Sequence, residues 1–93
     1  MNKRLEAIVE GRVQKVLFRD FVRRHANKLS LCGVVKNMED GTVFVCAEGN
    51  EENLSVLLSH LWKGPVFAKV KNVRERWDEH SGAFKRFDII YYG

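Results

Sequence analysis

The hydrophobic positions of this chain change their spacing along the sequence, and each change marks a predicted element. In residues 5–10, apolar side chains alternate with charged ones, which is the pattern of a β-strand with one buried face. In residues 18–29 they recur every three or four positions, as they do along one stripe of an amphipathic helix. We expect Gly33 to end this helix, because glycine commonly follows the last helical turn.

The middle of the chain predicts a β-hairpin. Two short β-prone segments, residues 34–37 and 42–46, flank the sequence Met38-Glu39-Asp40-Gly41. Asp-Gly at the end of such a connection favours a hairpin, since glycine adopts a positive φ without steric cost. Asn37 then lies where the first strand of the hairpin meets its turn.

A second helix and two further strands are predicted in the remainder of the chain. Asn50 is a good N-cap, and the leucine stripe that follows it ends at the sequence Lys63-Gly64-Pro65. Residues 66–77 are predicted to form a long strand whose alternation changes phase, which is consistent with a bulge. Residues 78–82 have the composition of a polar loop, and residues 87–91 alternate as a last strand.

The order of these elements is β-α-β-β-α-β with a terminal strand. That order is typical of the α+β class, and in particular of a ferredoxin-like α/β sandwich in which two helices cover one face of an antiparallel sheet. A chain of 93 residues has room for one hydrophobic core, so we expect a single domain over residues 1–93.

Composition narrows the environment in which the chain works. Its 45% of hydrophobic residues and its single proline indicate a folded globule, and no apolar run approaches the roughly 20 residues that span a bilayer. The basic N-terminus is followed by no apolar signal-peptide core, and Cys32 and Cys46 have neither metal-binding nor redox spacing. We therefore expect a cytoplasmic protein with reduced thiols and no membrane partner.

Charge and histidine content bear on the ligand. The net charge of +4 suits an anionic small molecule and, less specifically, nucleic acid. His25, His60 and His80 are scattered along the sequence, so no metal-ligand cluster is indicated, and neither a metal nor a cofactor is expected. Because His25 lies on the apolar stripe of the first helix, we expect it to be packed rather than catalytic.

The connection between the first strand and the first helix is the most distinctive stretch of the chain. It reads Gly-Arg-Val-Gln-Lys-Val-Leu-Phe-Arg from Gly11 to Arg19. A helix N-terminus offers backbone N–H groups without intrahelical partners, and the helix dipole favours an anion there. Arg19 adds a planar, permanently charged guanidinium that matches phosphate or carboxylate. We therefore predict an oxyanion cradle, with phosphate as the preferred anion.

Two stretches of the chain resemble the motifs of the acylphosphatase family. Residues 11–19 are similar to its signature loop, G-R-V-Q-G-V-x-F-R. Residues 33–43 are similar to its second motif, G-x-V-x-N-x-x-D-G-x-V, in which the first x is aromatic or apolar. The sequence Phe87-Asp88-Ile89-Ile90-Tyr91 resembles the usual end of the family's members. Length and element order also agree, so the resemblance covers nearly the whole chain.

The resemblance implies an enzyme that hydrolyses acyl phosphates to a carboxylate and inorganic phosphate, by direct attack of water and without a metal. It implies two catalytic residues: Arg19 holds the phosphoryl group and Asn37 orients the attacking water. It assigns the phosphate-binding loop to Gly11, Arg12, Val13, Gln14, Lys15 and Val16. The loop contains no cysteine, which excludes a covalent cysteine mechanism. We expect a monomer whose partners are a small acyl phosphate and inorganic phosphate.

Lys15 stands where the family usually has glycine. If this position requires a positive φ, lysine costs about 1 kcal/mol or more of local strain. Alternatively, its ammonium group brings a cation toward the phosphate. The sequence leaves both interpretations open. Taken singly, Arg12 and Lys15 are more often exposed charges than ligands, and Gln14 can serve only to shape the loop.

Two other functions fit the same element order. One is a weakly active or inactive module that binds phosphate or carboxylate, which the lysine at position 15 keeps open. The other is RNA binding, since RNA-recognition modules share this order and stack bases on aromatic residues of their central strands. Residues 5–10 contain no aromatic side chain, and Phe44 lacks the surrounding RNA-binding pattern. We therefore rank RNA binding last and expect no nucleic-acid partner.

Overall fold

The computed structural model describes residues 1–91, and residues 92 and 93, the end of the predicted domain, lie outside the described residues. Within that range the elements are β1 (Asn2–Arg12), α1 (Phe18–Lys28), β2 (Cys32–Asn37), β3 (Val43–Asn50), α2 (Glu51–Lys63), β4 (Lys69–Glu79) and β5 (Phe87–Ile90). The predicted order is confirmed, with β5 as the terminal strand.

The strands form one sheet in the order β4-β1-β3-β2-β5. β1 pairs antiparallel with both β3 and β4, and β2 pairs antiparallel with β3. β5 adds to the outer edge of β2 in the parallel direction, so the sheet is mixed rather than wholly antiparallel as predicted. This parallel pairing brings the C-terminal ends of β2 and β5 side by side.

Both helices cover the same face of the sheet. Because side chains alternate across a strand, Leu5, Ala7 and Val9 of β1 all face the helices, and none of them has any exposed surface. Aromatic and aliphatic side chains of both helices and of two further strands complete this core: Phe18, Phe21, Val22, Ala26, Val35, Val43, Val45, Leu54, Leu57 and Leu61. The result is the α+β, ferredoxin-like arrangement that the element order predicts.

The predicted end of α1 is wrong. The helix ends at Lys28, and Ser30, with a φ of 56°, makes the left-handed turn that follows it. Gly33 instead lies inside β2, where its φ is 148° and where a Cβ atom would overlap the backbone carbonyl of Cys46. Glycine is therefore required at this position by the close approach of β3, and not by the helix.

The hairpin between β2 and β3 is confirmed. The Met38 N–H donates to the Thr42 carbonyl at 2.8 Å, and Gly41 adopts a φ of 91°. Inside the turn, Asp40 Oδ1 accepts hydrogen bonds from the Thr42 N–H at 3.1 Å and from the Thr42 hydroxyl at 2.7 Å. Asn37 is the last residue of β2, immediately before this turn.

The start of α2 is also confirmed, although β3 is longer than predicted. β3 continues past residue 46 to Asn50, which then serves as the N-cap of α2. The Asn50 side chain accepts a hydrogen bond from the Glu52 N–H at 2.8 Å, which satisfies one of the free donors of the first turn. The helix ends at Lys63, before Gly64, as predicted.

The bounds of β4 differ most from their prediction. The strand begins at Lys69 rather than at residue 66, and it runs to Glu79 through two residues predicted as loop. Its alternation is weak because it lies at the edge of the sheet and buries Val73 alone among its own residues. An edge strand with so little buried surface gives a faint periodic signal.

The bulge expected in this strand is confirmed. Glu10 pairs with Asn72, whereas the next residue of β1, Gly11, pairs with Val70. Lys71 is therefore an extra residue on β4 opposite this step.

Glu48 is a buried carboxylate of β3 on the face of the sheet that the helices leave open, and its side chain has no exposed surface. Its oxygens accept hydrogen bonds from the Ser81 N–H (3.0 Å), the Ser81 hydroxyl (2.6 Å) and the Gly82 N–H (3.0 Å). Burial alone would raise the pKa of Glu48, but these hydrogen bonds and the nearby His80 ring outweigh it and hold the pKa below its ordinary value. The carboxylate thus fastens the loop after β4 to the sheet.

Two further properties concern the setting of the fold. Neither α1 nor α2, the helices of the described chain, has the length and hydropathy of a membrane-spanning segment. Cys32 is half-buried and Cys46 is buried, and both are free thiols.

Candidate active site

The connection between β1 and α1 folds around two residues with a left-handed backbone. Lys15 and Leu17 both have a φ of 61°, and Val16 between them has a negative φ. Left-handed residues in a turn can direct neighbouring N–H groups toward one concave side, as in anion-binding nests. Among the described residues, the N–H groups of residues 14–19 meet no hydrogen-bond acceptor. The connection thus presents a run of free donors.

The N-terminus of α1 is left open by its N-cap residue. Leu17 occupies the cap position and has no side-chain oxygen, so no side chain accepts a hydrogen bond from the first turn. The other helix differs, since Asn50 caps it with its side chain. The first N–H groups of α1 therefore remain available to an external anion, and the helix dipole favours negative charge at this point.

Arg19 and Asn37, which are 18 positions apart in the sequence, line one cavity of about 240 Å³. They meet because α1 packs beside β2 and β5. The full lining consists of residues from the connection, the start of α1 and the ends of β2 and β5: Val13, Lys15, Leu17, Phe18, Arg19, Asp20, Asn37, Ile89 and Tyr91. The two residues singled out as catalytic from the sequence are thus brought to one place.

Arg19 is half-buried and is held from the side of β5. Its Nη1 atom lies 3.5 Å from the Ile90 carbonyl oxygen, and its Cζ atom lies 5.0 Å from the centre of the Tyr91 ring. A guanidinium has five N–H donors, so these contacts orient the group and leave donors for a ligand. Asp20 brings a carboxylate into the same lining, and its negative charge is balanced by ion pairs with Arg23 and Arg24 at 3.5 and 3.2 Å.

Asn37 carries an unpaired polar atom. Its Oδ1 atom is buried, and it has no hydrogen-bond partner among the described residues. Leaving a buried carbonyl oxygen unpaired costs about 1–3 kcal/mol, and such groups are few in native proteins. An amide kept in this condition beside a cavity has hydrogen-bonding capacity that the fold itself does not use.

Gln14 joins the two loops of the site. Its Nε2 donates to the carbonyl oxygens of Met38 and Thr42, at 2.8 and 2.9 Å, on the two sides of the hairpin turn. The side chain does not line the cavity. It fixes the β1–α1 connection against the hairpin that carries Asn37, so it sets the distance between the N–H donors and the amide.

Comparison with known protein families decides the assignment. The family model described as acylphosphatase matches residues 5–89, which is most of the chain. The chain belongs to the acylphosphatase family.

Individual acylphosphatases match over nearly the full length. The chain is 44% identical over 88 residues to an acylphosphatase of Dehalococcoides mccartyi, covering 94% of this chain and 97% of that one. It is 45% identical over 84 residues to an acylphosphatase of Bacillus licheniformis, covering 90% and 93% of the two chains. The crystal structure of acylphosphatase from Bacillus subtilis superposes with a TM-score of 0.92 at 38% identity, covering 96% and 99%.

These matches confirm the family, the α+β fold and the acylphosphatase enzyme class predicted from the sequence. Nothing among them favours the alternative of a binding module.

The residues assigned to the phosphate-binding loop do not all lie in the connection between β1 and α1. Gly11 and Arg12 are the last residues of β1, paired with β4, and neither lines the cavity. Gly11 has a φ of 126°, and a Cβ atom there would overlap the Lys69 carbonyl, so the close approach of β4 requires glycine. Val16 packs against the core. The connection proper therefore runs over residues 13–17.

Lys15 has a positive φ, so a side chain at this position strains the backbone, as the first interpretation of this residue requires. The same side chain is exposed and lines the cavity, so a cation is carried on a residue of the cavity wall. The two interpretations that the sequence left open are therefore compatible with each other.

Tyr91 and Leu17, which were not singled out from the sequence, both line this cavity. Tyr91 is predicted from the sequence as a residue of the last strand and of the family-like closing segment, with no role at the site; β5 ends at Ile90, and the position of Tyr91 beside Arg19 depends on the parallel pairing of β5 with β2. The available signal was the closing Phe-Asp-Ile-Ile-Tyr sequence, which places an aromatic residue directly after that strand. Leu17 gave no signal beyond its place in the loop.

The three histidines are not all scattered in space. The rings of His25 and His60 stack with their centres 3.8 Å apart in the interface between α1 and α2, and Phe21 packs edge-on against both. Burial, with His60 and nearby lysine and arginine side chains, lowers the pKa of His25. His25 is packed, as expected, and does not line the cavity. In residues 1–91, no three His, Cys, Asp or Glu side chains are grouped closely enough to hold a metal ion.

Proposed function

We propose that the chain hydrolyses small acyl phosphates in the 240 Å³ cavity, by direct attack of water on phosphorus. One observation carries the proposal. Arg19 and Asn37 line this cavity together, next to a run of backbone N–H groups that meet no acceptor in the described chain. Such a combination supplies charge, donors and a polar amide around one small anionic group.

The phosphoryl group is bound mainly by the backbone. The free N–H groups of the β1–α1 connection and of the first turn of α1 donate to its oxygens, and Arg19 forms charge-assisted hydrogen bonds to two of them. These donors are fixed by the fold before the substrate binds, so little reorganisation accompanies the reaction. Inorganic phosphate, as the product, occupies the same donors.

Asn37 orients the attacking water. A neutral amide does not take up a proton near pH 7, so its contribution is to hold the water by hydrogen bonds on the side of phosphorus opposite the leaving group. The buried Oδ1 without a partner supports this role, because the described residues leave this oxygen without a hydrogen bond.

The leaving group requires no acid. Water oxygen bonds to phosphorus as the bond between phosphorus and the bridging oxygen breaks, and that oxygen leaves with the acyl group as a carboxylate. A carboxylate is stable as an anion at neutral pH, since carboxyl groups have a pKa near 4. Both protons of the attacking water leave with the phosphate product, as dihydrogen phosphate, and pass on to solvent according to the pH. Positioning and charge stabilisation are then sufficient for catalysis.

The test measures phosphate release from benzoyl phosphate by the purified protein in the presence of a metal chelator. Size-exclusion chromatography of the same sample checks that the protein is a monomer. In water labelled with ¹⁸O, we expect the label in the phosphate and none in the benzoate, because water attacks phosphorus. Label in the benzoate would refute attack at phosphorus. No release above the uncatalysed rate from a folded protein would favour the phosphate-binding module instead.

A further inference from the structure

Leucine is an unexpected residue at position 17, because the backbone there is left-handed and the apolar side chain is exposed. Its φ of 61° and ψ of 27° lie in the left-handed region, where glycine and asparagine are preferred. Its side chain is 78% exposed, whereas the neighbouring Phe18 is 2% exposed. As the N-cap of α1 it makes no side-chain hydrogen bond. The core, the cap and the backbone therefore give no reason for leucine at this position.

Leu17 and Tyr91 are apolar surfaces of the cavity that contains Arg19 and Asn37. Tyr91 is 72% exposed. A phosphoryl group is satisfied by N–H and cationic donors, so neither apolar side chain suits direct contact with it, and Tyr91 affects it only through its contact with Arg19. The acyl group has the opposite requirement. It is bonded to a phosphoryl oxygen, so it lies next to the phosphate site, and it has carbon surface to bury.

We infer that Leu17 and Tyr91 bind the acyl part of the substrate and make the site selective for acyl phosphates whose acyl group is apolar, above all aromatic. This inference rests on the proposed function. An aromatic acyl group covers exposed leucine and tyrosine surface and packs against the tyrosine ring, both of which favour binding. An acetyl group is too small to cover both side chains and gains little from them.

The test compares benzoyl phosphate with acetyl phosphate, which share the phosphoryl group and differ in the acyl group. Leu17→Gly fits the left-handed backbone and removes the apolar side chain without adding an oxygen that would cap the free N–H groups of the first turn. We expect it to lower kcat/KM for benzoyl phosphate by about tenfold, mainly through KM, and to leave acetyl phosphate nearly unchanged. The change in the ratio between substrates cancels their difference in intrinsic reactivity.

Leu17→Ala is the second variant, since it keeps the Cβ atom and removes the rest of the apolar side chain without adding a capping oxygen. Val66→Ala is the matched control, because Val66 is 90% exposed and lies outside the cavity lining. It should leave both kcat/KM values unchanged. An unchanged substrate ratio in both Leu17 variants overturns the inference and leaves the acylphosphatase reaction in place. A parent protein that hydrolyses neither substrate overturns both.

Tyr91→Ala tests the other side of the subsite. Because its ring also contacts Arg19, we expect losses with both substrates and a larger loss with benzoyl phosphate. Equal losses with the two substrates overturn the assignment of Tyr91.

Discussion

Arg19 is oriented by residues at the end of β5. The Ile90 carbonyl and the Tyr91 ring hold the guanidinium beside the cavity, so the proposed mechanism gives the phosphoryl group a cation whose position is already fixed. Arg19→Ala should weaken inhibition by inorganic phosphate and lower kcat/KM by about 100-fold or more. Arg19→Lys should recover only part of this loss, because a planar, two-pronged contact becomes a point charge.

Steady-state kinetics with phosphate as a competitive inhibitor measure both effects. Arg76→Ala is a suitable control, since Arg76 is an exposed residue of β4 outside the cavity lining. Near-parental kcat/KM in Arg19→Ala would contradict the role given to this residue.

Substitution of Asn37 tests whether this residue positions the attacking water, binds phosphate or stabilises the fold. Asn37→Ala should lower kcat by about 100- to 1,000-fold, the usual effect of losing one well-placed polar group, with phosphate affinity nearly unchanged. The variant also loses a buried, unpaired Oδ1, so its free energy of unfolding should stay equal or rise by about 1 kcal/mol. Urea unfolding and phosphate inhibition provide the two readouts. A strongly destabilised variant would show that Asn37 serves the hairpin turn instead.

Lys15 allows strain and charge to be measured apart. Glycine relieves the left-handed backbone, whereas alanine removes the charge and keeps the Cβ atom, so Lys15→Gly should be more stable than Lys15→Ala by about 1 kcal/mol. Both variants lose the cation beside the cavity, so both should show a higher KM at low salt, and this difference should shrink as salt screens the charge. Equal stability of the two variants would exclude strain at this position.

At the residue scale, the sequence predicted the side chains that belong to motifs and missed those that depend on distant pairing. Arg19 and Asn37 were identified from the two motifs, and both line the cavity. Tyr91 reaches Arg19 only because β5 adds to β2, a pairing between segments some 50 positions apart that no local pattern reveals. The bonds from Gln14 to the hairpin carbonyls are likewise invisible before the two loops are brought together.

At the element scale, Glu48 links the loop after β4 to the sheet through a pH-dependent contact. Its pKa is lower in the folded chain than in the unfolded chain, so its stabilising effect is present above the ordinary value of 4.5 and is lost as the pH falls below it. We expect the free energy of unfolding to drop over this range. Glu48→Gln should abolish that part of the pH dependence and cost about 1–3 kcal/mol at pH 7.

Chemical denaturation at several pH values checks this expectation. Glu79→Gln is the matched control, because Glu79 is exposed and makes no ion pair among the described residues. A pH profile of Glu48→Gln that follows the parent below pH 4.5 would contradict the linkage.

Elements whose ends are marked by turn or capping residues in the local sequence were predicted well. The hydrogen bonds of the hairpin turn and of the Asn50 cap join residues two positions apart, so the local sequence is sufficient to predict them. The end of α1 was mispredicted at Gly33, because glycine can either end a helix or allow a close approach between strands. Here the close approach of β3 requires it. The parallel edge strand and the extent of β4 were missed for a similar reason, since pairing with β2 and β1 decides them.

At the scale of the whole molecule, phosphate binding and folding are linked. A ligand that binds only the folded chain stabilises it, by about 2.7 kcal/mol at a concentration 100 times its Kd. For a domain of this size each kcal/mol raises Tm by about 4–8 °C. We therefore expect inorganic phosphate to raise the parent Tm by several degrees above a sodium chloride control of equal ionic strength. Arg19→Ala should lose most of this shift, and a full shift in that variant would locate phosphate elsewhere.

The run of free main-chain donors in the β1–α1 connection has an evolutionary consequence. Every amino acid except proline supplies the same N–H group, so the anion site depends on the path of the backbone more than on the identity of its residues. In the proposed site, side chains in this connection can therefore change while the main-chain donors stay in place, provided that the left-handed turns are kept. The acyl contact inferred at position 17 can then vary with the substrate independently of the backbone that would bind phosphate.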